Sequence, residues 1–258
     1  MQALLQPIGA TMLGFCEATG RFAWFAAVSV MHCFRPPWFA RNIRKQFIEM
    51  GFYSLPVVGL TAAFSGMVLA LQSYSGFARF NAEGAIATVV ALSVTRELGP
   101  VLAGLMVAGR IGAAIAAELG TMRVTEQIDA LSTLSTNPYK YLIAPRIIAG
   151  TLCLPLLVFI ADVIGIFGGF LIGVYQLDFN AAGYIKSTLD TLKFLDVFSG
   201  LVKAAVFGFI ITLMGCYQGF HSRGGAQGVG AATTNAVVAA SILILISNFL
   251  ITAAFFGK

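Results

Sequence analysis

The sequence predicts an all-α polytopic membrane protein, and three observations lead to this fold class. Hydrophobic residues make up 58% of the chain and charged residues only 10%, whereas a soluble domain carries about 25% charged residues. The apolar residues form runs long enough to cross a bilayer, which takes about 20 residues per helix. Basic residues gather in alternate connecting segments. We therefore expect one membrane domain over residues 1–258, with an N-terminal interfacial helix, five transmembrane helices and a short cytoplasmic helix.

Five segments have the length and the composition of transmembrane helices. All are rich in Gly and Ala, which suits close helix packing in lipid. The fourth segment along the chain carries one charge, Lys203. The predicted spans are residues 50–73, 86–117, 147–177, 197–219 and 231–256. Residues 46–258 are thus expected to form the five-span core.

The N-terminal stretch, residues 8–34, is predicted to lie on the membrane. Glu17 and Arg21 interrupt it, and the fully apolar part from Phe22 to Val30 is too short to span. An amphipathic helix of this kind rests at the interface. Residues 1–45 then form an interfacial helix and arm, ended by Arg35-Pro36-Pro37-Trp38. A sixth span is the alternative interpretation.

Basic residues near the span ends set the orientation, because cytoplasmic loops carry an excess of Lys and Arg. With the N-terminal arm inside, nine basic residues face the cytoplasm and four face the other side. The first group is Arg21, Arg35, Arg41, Arg44, Lys45, Arg123, Lys140, Arg146 and Arg223, and the second is Arg79, Lys186, Lys193 and Lys258. The segment 117–131 and the Gly-rich 221–234 are therefore predicted to be cytoplasmic, and the loop 178–196 to lie outside.

The second predicted span contains a stripe of small residues at every fourth position. Small residues on one helix face let two backbones approach closely in lipid. The stripe consists of Gly104, Ala108, Gly112, Ala116 and Gly120. We interpret it as a helix-packing face, either within one subunit or between two.

Five charged residues fall inside the predicted spans, but Arg110, about 36 Å along the second span, reaches the cytoplasmic interface. The charges expected within the membrane are therefore Arg96, Glu97, Asp162 and Lys203. Each costs on the order of 3 kcal/mol at the bilayer centre. Asp162 lies near mid-span. Lys203 lies only about six residues from its span end, so its ammonium group could reach the interface by snorkelling.

Arg96 and Glu97 lie roughly 15 Å deep, if the helix starts near Ile86 and rises about 1.5 Å per residue. Neighbours on a helix point about 100° apart, so these two cannot easily neutralise each other. Gly99-Pro100 follows and can bend the helix, since proline removes a backbone hydrogen bond. We expect "TRELGP" to line a polar substrate cavity. A purely structural set of ion pairs is the alternative.

The segment near 119–136 predicts a short amphipathic cytoplasmic helix. Its apolar face consists of Met122, Val124, Ile128 and Leu131, and its polar face includes Arg123, Glu126, Gln127 and Asp129. Asn137-Pro138 closes the unit. A helix that only rests on headgroups is usually rich in Lys and Arg, whereas this one also carries Glu118 and is acidic. A protein partner is therefore favoured.

Signatures of enzymes are missing from the sequence. It contains no GxxxxGK[ST] loop for ATP and no HExxH motif, and His32 and His221 stand alone. The four cysteines are far apart, and no basic run is interleaved with aromatic residues. We expect no catalytic residues, metal site, cofactor or nucleic-acid partner.

Three strings carry a family resemblance: "VTRELGPVLAGLMVAGRIGAAIAAELG", "ELGTMRVTEQIDALSTLSTNP" and "GAQGVGAATTNAVV". They closely resemble the MlaE (YrbE) family of ABC-transporter permeases, the membrane subunits of phospholipid-transport systems that work with MCE proteins. The resemblance implies a homodimer with an outward-facing lipid cavity in the inner membrane of a Gram-negative bacterium. It also implies export or import of phospholipid between that membrane and a periplasmic carrier, which maintains outer-membrane asymmetry.

The same resemblance assigns roles to residues and partners. Residues 120–131 would be the coupling helix that docks into a cytoplasmic ABC ATPase, with Glu118, Arg123, Glu126 and Asp129 as contacts. ATP and Mg²⁺ would bind that ATPase, which often carries a STAS-domain protein, and a periplasmic MCE ring would engage the other side. The family's polar pair falls on Arg96 and Glu97. Further candidates for lipid contact are Lys203, Leu69, Leu71, Tyr74, Phe77 and Val101.

An ion-coupled secondary transporter is the alternative function, with Glu97, Asp162 and Lys203 as a proton or ion relay. Such transporters typically contain inverted repeats of broken helices. The five predicted spans show no such repeat, which favours the ABC permease.

Overall fold

The computed structural model of the protein describes residues 2–77 and 85–257, and these residues form helices and no strand. The all-α prediction is thus confirmed. The α-helices are α1 (Gln2–Phe34), α2 (Ala40–Gly51), α3 (Leu55–Phe77), α4 (Ile86–Ser93), α5 (Gly99–Val107), α6 (Ala113–Val124), α7 (Gln127–Thr133), α8 (Ala144–Tyr175), α9 (Ala181–Thr191), α10 (Phe194–Phe220) and α11 (Gly225–Phe256).

Five continuous helical rods within the described residues are long and apolar enough to cross a membrane, as predicted. They are Ala40–Phe77, Ile86–Val124, Tyr139–Tyr175, Phe194–Phe220 and Gly225–Phe256. Most extend beyond the predicted spans because helix formation continues past the apolar segment. The first rod, for example, adds the whole amphipathic helix α2 through a short 3₁₀ turn, Phe52–Ser54.

The second rod is not a uniform α-helix. Two π-helical segments, Val94–Leu98 and Ala108–Gly112, separate α4, α5 and α6. Such π-bulges insert an extra residue into a turn and often occur at functional sites. The first one contains Arg96 and Glu97 and ends just before Pro100, so the backbone irregularity lies where the sequence places its buried charges.

Helices α8 and α10 occupy the centre of the bundle, and glycines allow close backbone contact there. A side chain at Gly66 in α3 would overlap the carbonyl group of Gly165 in α8, and one at Gly208 in α10 would overlap that of Gly150 in α8. These contacts bring helices together more closely than larger residues allow.

The small-residue stripe of the second rod packs within the subunit. A Cβ at Gly104 would lie 3.1 Å from Phe207, and one at Gly112 3.6 Å from Ile211, both in α10. Ala108 and Ala116 are fully buried. Of the two interpretations of the stripe, the structure therefore favours packing against α10 of the same chain.

The N-terminal helix α1 ends at Phe34, just before the predicted breaker. It does not qualify as a spanning helix by length and composition. Its C-terminal half is anchored by Phe25, which is buried among the rings of Tyr139, Tyr217 and Phe220. Its placement on the membrane surface stays a prediction.

The outer faces of the rods are apolar. On α8, Phe159, Val163 and Phe167 are each at least 50% exposed and recur at four-residue intervals. A continuous exposed apolar face of this kind marks contact with lipid or with another apolar surface. The arrangement agrees with a multi-pass membrane protein.

The contact at Gly66 gives a stability test. Gly66→Ala should lower the melting temperature, because the added methyl group overlaps the Gly165 backbone and overpacking costs about 1–3 kcal/mol. Gly76→Ala, in the same helix but with nothing within 4 Å of the added atom, is the matched control and should not be destabilising. Thermal unfolding of the purified protein in detergent measures both. Equal melting temperatures for the two variants would contradict the proposed packing.

Candidate functional site

Three of the four charges predicted inside the membrane, Arg96, Glu97 and Lys203, meet between the second rod and α10. Arg96 and Glu97 come from the π-helical segment Val94–Leu98, and their partners Asp196 and Lys203 lie in the first two turns and a half of α10. Two ion pairs result, Arg96 with Asp196 and Glu97 with Lys203. The neighbours do not neutralise each other, as expected, because each has its own partner.

Lys203 is the most deeply buried of these groups. Its Nζ atom lies 2.8 Å from Oε1 of Glu97 and 2.7 Å from the carbonyl oxygen of Arg96. Pro100 has no N–H to donate to that carbonyl group, so the ammonium group provides a donor there. The side chain is 0% exposed. The snorkelling interpretation of Lys203 is therefore wrong: α10 turns this side chain into the bundle and not toward the interface.

Glu97 also binds the last rod. Nδ2 of Asn248 donates to Oε2 at 2.8 Å, and Oγ1 of Thr252 donates to Oε1 at 2.9 Å. One carboxylate thus connects the second rod, α10 and α11. Sequence reasoning missed Asn248 and Thr252. Their spacing of four residues, which puts two polar groups on one face of an apolar helix, was the available signal.

Arg96 is held on two sides. Its Nε and Nη2 atoms lie 2.8 and 2.6 Å from Oδ1 of Asp196, and its guanidinium carbon lies 4.3 Å from the ring centre of Phe256. Asp196 is itself fixed, since its Oδ2 accepts the backbone N–H of Lys193 at the start of α10. The sequence did not identify Asp196 or Phe256, because both sit at ends of apolar segments.

The exposed parts of the site define what it can bind. The Arg96 side chain is 35% exposed and that of Glu97 39%, whereas Asp196 and Lys203 are buried. Asp196 accepts a hydrogen bond from Nε and forms an ion pair with Nη2, and the remaining N–H donors of the guanidinium group suit the oxygens of a phosphate or carboxylate. One edge of the Arg96 guanidinium group is therefore exposed and suits an anion. The buried carboxylate of Asp196 fixes the position of this edge.

Asp162 does not belong to this cluster. It is 4% exposed, it packs against Gly99 of the second rod, and its Oδ1 atom makes no hydrogen bond. In the described part of the chain no ion pair joins Asp162 to Lys203 or Glu97. The three-residue relay of the secondary-transporter alternative is thus not assembled here.

The apolar residues predicted to contact lipid lie in different parts of the subunit. Leu69, Tyr74 and Phe77 pack at the outer end of α3 against a small cluster that includes Ile86. Leu71, in contrast, is 37% exposed, and Val101 packs against the main core. Within one subunit, these side chains and Arg96 do not form a single cluster.

The segment predicted to be cytoplasmic does not form the single helix that the sequence indicates. Helix α6 continues to Val124, the chain turns at Glu126, and α7 then runs from Gln127 to Thr133. Glu126 adopts a left-handed backbone conformation with φ of 60°, which residue patterning does not reveal for a glutamate. The prediction that this segment forms one continuous amphipathic helix was therefore wrong.

Three of the four residues predicted to contact the ATPase already form ion pairs within the subunit. Nη1 of Arg123 lies 2.6 Å from Oδ1 of Asp129, and Oε2 of Glu118 lies 2.8 Å from Nη2 of Arg146. Glu126 is exposed, and its side chain has no hydrogen bond or ion pair with any described residue. Of the four, Glu126 is thus the group most available to a partner.

Five candidate membrane spans around a buried charge cluster are the architecture of a membrane transport subunit. The family model "Permease MlaE" matches residues 43–254, and the chain belongs to this family. The resemblance noted in the sequence is confirmed. The protein is accordingly the permease subunit of an ABC transporter, which implies an ATPase partner on a separate chain.

Three relatives show the range of the similarity. A probable ABC transporter permease protein of Rickettsia felis is 60% identical over 249 residues, 96% of each chain. A probable ABC transporter permease protein of Synechocystis is 43% identical over 82% of this chain and 81% of the relative. The intermembrane phospholipid transport system permease protein MlaE of Haemophilus influenzae is 34% identical over 98% of this chain and 97% of the relative.

A double-mutant cycle tests the buried pair. Glu97→Gln leaves the ammonium group of Lys203 without its counter-ion and should destabilise the protein by about 3 kcal/mol. Adding Lys203→Met removes the stranded charge, so the double variant should be more stable than Glu97→Gln alone. Thermal unfolding in detergent gives both values.

The matched control for this cycle is the exposed pair of Glu17 and Arg21 in α1. Glu17→Gln should change stability by less than about 1 kcal/mol. Strictly additive effects of Glu97→Gln and Lys203→Met would show that the two side chains do not interact.

Proposed function

We propose that this permease moves phospholipids between the bacterial inner membrane and a periplasmic carrier or the outer membrane, and so maintains outer-membrane lipid asymmetry. The observation that carries the proposal is the partly exposed Arg96 beside Glu97 in a largely apolar bundle. Such a site fits a molecule with an anionic head and apolar chains. The name of the Haemophilus influenzae relative, a phospholipid transport permease, supports the same cargo.

Arg96 is the proposed contact for the lipid phosphate group. Its free donors match phosphate oxygens, and charge-assisted hydrogen bonds of this kind are strong in a medium of low dielectric constant. Glu97 orients the site through α10 and α11. Lys203 acts indirectly, by fixing the position of Glu97. Its side chain is fully buried and therefore does not contact a headgroup in this conformation.

Acyl chains need apolar walls, for which Leu69, Leu71, Tyr74, Phe77 and Val101 are the proposed residues. Since one subunit does not gather them around Arg96, the cavity is proposed to be completed by a second copy of the chain. The outer face of α11, next to the charge cluster, supports this. It exposes large apolar residues that include Ile242, Leu245 and Phe249.

Energy is proposed to come from a cytoplasmic ABC ATPase that binds ATP and Mg²⁺ and docks on the turn around Glu126. The second rod runs from Ile86 to Val124, so its cytoplasmic end and Arg96 belong to one helical element. A movement of the docked turn would shift this rod and change the shape of the cavity. In this mechanism, movement of the ATPase on the cytoplasmic side changes the conformation of the permease.

The remaining partners follow from the family. A periplasmic ring of MCE-domain subunits would receive the lipid at the outer end of the cavity, and a STAS-domain protein would bind the ATPase. The inner membrane of a Gram-negative bacterium is the proposed location.

Replacement of Arg96 tests cargo binding. Arg96→Gln should reduce phospholipid transfer by about tenfold or more, because one charge-assisted hydrogen bond is worth about 1.5–3 kcal/mol. The measurement is transfer of labelled phospholipid by the permease–ATPase complex in proteoliposomes. Arg21→Gln, which removes an exposed arginine from α1, is the control and should leave transfer unchanged. Full transfer by Arg96→Gln, or by Glu97→Gln, would remove these residues from the site.

Replacement of Glu126 tests coupling. Glu126→Asn removes the charge while asparagine tolerates the left-handed backbone conformation, so the turn should survive. We expect weaker ATPase binding and about a tenfold loss of lipid transfer per ATP hydrolysed. Glu49→Gln, an exposed glutamate of α2, is the control.

The double variant Glu126→Asn with Asp129→Asn should release the ATPase further, since Asp129 also holds Arg123 in place. Co-purification of the ATPase in undiminished amount with the double variant would argue against docking at this turn.

A further inference from the structure

A second polar site lies at the end of the bundle that is predicted to be cytoplasmic. It is a cavity of about 210 Å³ between α2, α6 and the start of the third rod. Its polar lining consists of Asn42, Lys45 and Gln46 from α2, together with Glu118, Tyr141 and Arg146. None of the roles proposed for the Arg96 site uses this cavity.

The charges around the cavity sum to one positive charge. Arg146 is 4% exposed, and its Nη2 atom is paired with Glu118 at 2.8 Å. Lys45, in contrast, is exposed and forms no ion pair with any described residue. The cavity therefore combines a neutralised buried pair with a free ammonium group, and its net charge favours a singly charged anion.

Gln46 is the feature that points to a ligand. The residue is only 9% exposed, yet its amide group makes no hydrogen bond with the described part of the chain. Its amide atoms are not closed off from solvent but open into the cavity, so they are available to an occupant. Since Gln46 lines the cavity next to Lys45, an occupant with acceptor oxygens would satisfy both side chains.

The depth of the site favours a phosphate group. Lys45 precedes Phe52, where the apolar part of the first rod begins, by seven residues, which is about 10 Å along a helix. The headgroup layer outside the hydrocarbon core is about 5–8 Å thick on each side. Lys45 and Gln46 thus lie just outside the headgroup layer, where both lipid phosphates and soluble phosphate esters are accessible to them.

We propose that this cavity, lined by Asn42, Lys45 and Gln46, binds the phosphate group of an anionic phosphate ester. The ester is either an anionic phospholipid of the cytoplasmic leaflet or a soluble phosphate. Asn42 offers a further amide, which now donates a long hydrogen bond of 3.4 Å to the carbonyl oxygen of Tyr141. The site is separate from the cargo site at Arg96.

The labelling rate of the Lys45 amine tests the proposal directly. The full-length permease is placed in nanodiscs of phosphatidylcholine, either alone, with added phosphatidylglycerol, or with inorganic phosphate in the buffer. An amine-reactive reagent is added, and mass spectrometry follows each lysine. Lys186, an exposed lysine of α9 on the opposite side, is the internal control for the general effect of surface charge.

We expect phosphatidylglycerol or inorganic phosphate to slow labelling of Lys45 by about tenfold and to leave Lys186 unchanged. Protection by the lipid alone identifies a phospholipid, and protection by inorganic phosphate in phosphatidylcholine nanodiscs identifies a soluble ester. Gln46→Leu, which changes no charge, should weaken the protection. Arg41→Gln, an exposed cation of α2 outside the cavity, should retain it.

Three results would overturn the proposal. One is a Lys45 labelling rate that neither anion changes. Another is equal slowing of Lys45 and Lys186, which would show only a surface-charge effect. The last is protection of Lys45 that appears only when the ATPase is added, because the cavity would then be a protein contact.

Discussion

The buried ion pair of Lys203 with Glu97 determines how the candidate site is arranged. An ammonium group that is fully buried in an apolar bundle is stable only beside a counter-ion, since an uncompensated charge there costs several kcal/mol. Glu97 must therefore face α10, and its remaining acceptor positions recruit Asn248 and Thr252 of α11. Arg96, the next residue, is directed toward Asp196 and keeps one edge exposed. The orientation of the candidate binding edge thus follows from a buried contact.

The same rod connects this site to the turn at Glu126. Between Glu97 and Val124 its small-residue stripe packs against α10, so the rod and α10 form one tightly packed unit inside the subunit. The two π-helical segments are the irregular points of this unit, and the first one holds both charged residues. A force on the turn at Glu126 would act on a packed pair of helices and not on a flexible segment. This architecture suits a gate that responds to a separate motor.

Much of this arrangement can be predicted from sequence, because spans, small-residue stripes and buried charges are local patterns. The partners of the buried charges cannot be predicted in this way. Thr252 lies 155 residues from Glu97, and no periodicity in either helix specifies that they meet. Lys203 was misjudged for a related reason: snorkelling depends on which way a helix face points, which packing decides. The break at Glu126 was missed because glutamate carries no signal for a left-handed backbone conformation.

Transport of an amphipathic cargo through this chain is proposed to be driven by a separate ATPase, with the chain itself acting as a passive gate. The most direct measurement compares lipid transfer by the purified permease alone, under an imposed proton or sodium gradient, with transfer by the permease–ATPase complex and ATP in the same proteoliposomes. The account predicts transfer only with the ATPase and hydrolysable ATP. Gradient-driven transfer by the permease alone would contradict it and would favour an ion-coupled transporter.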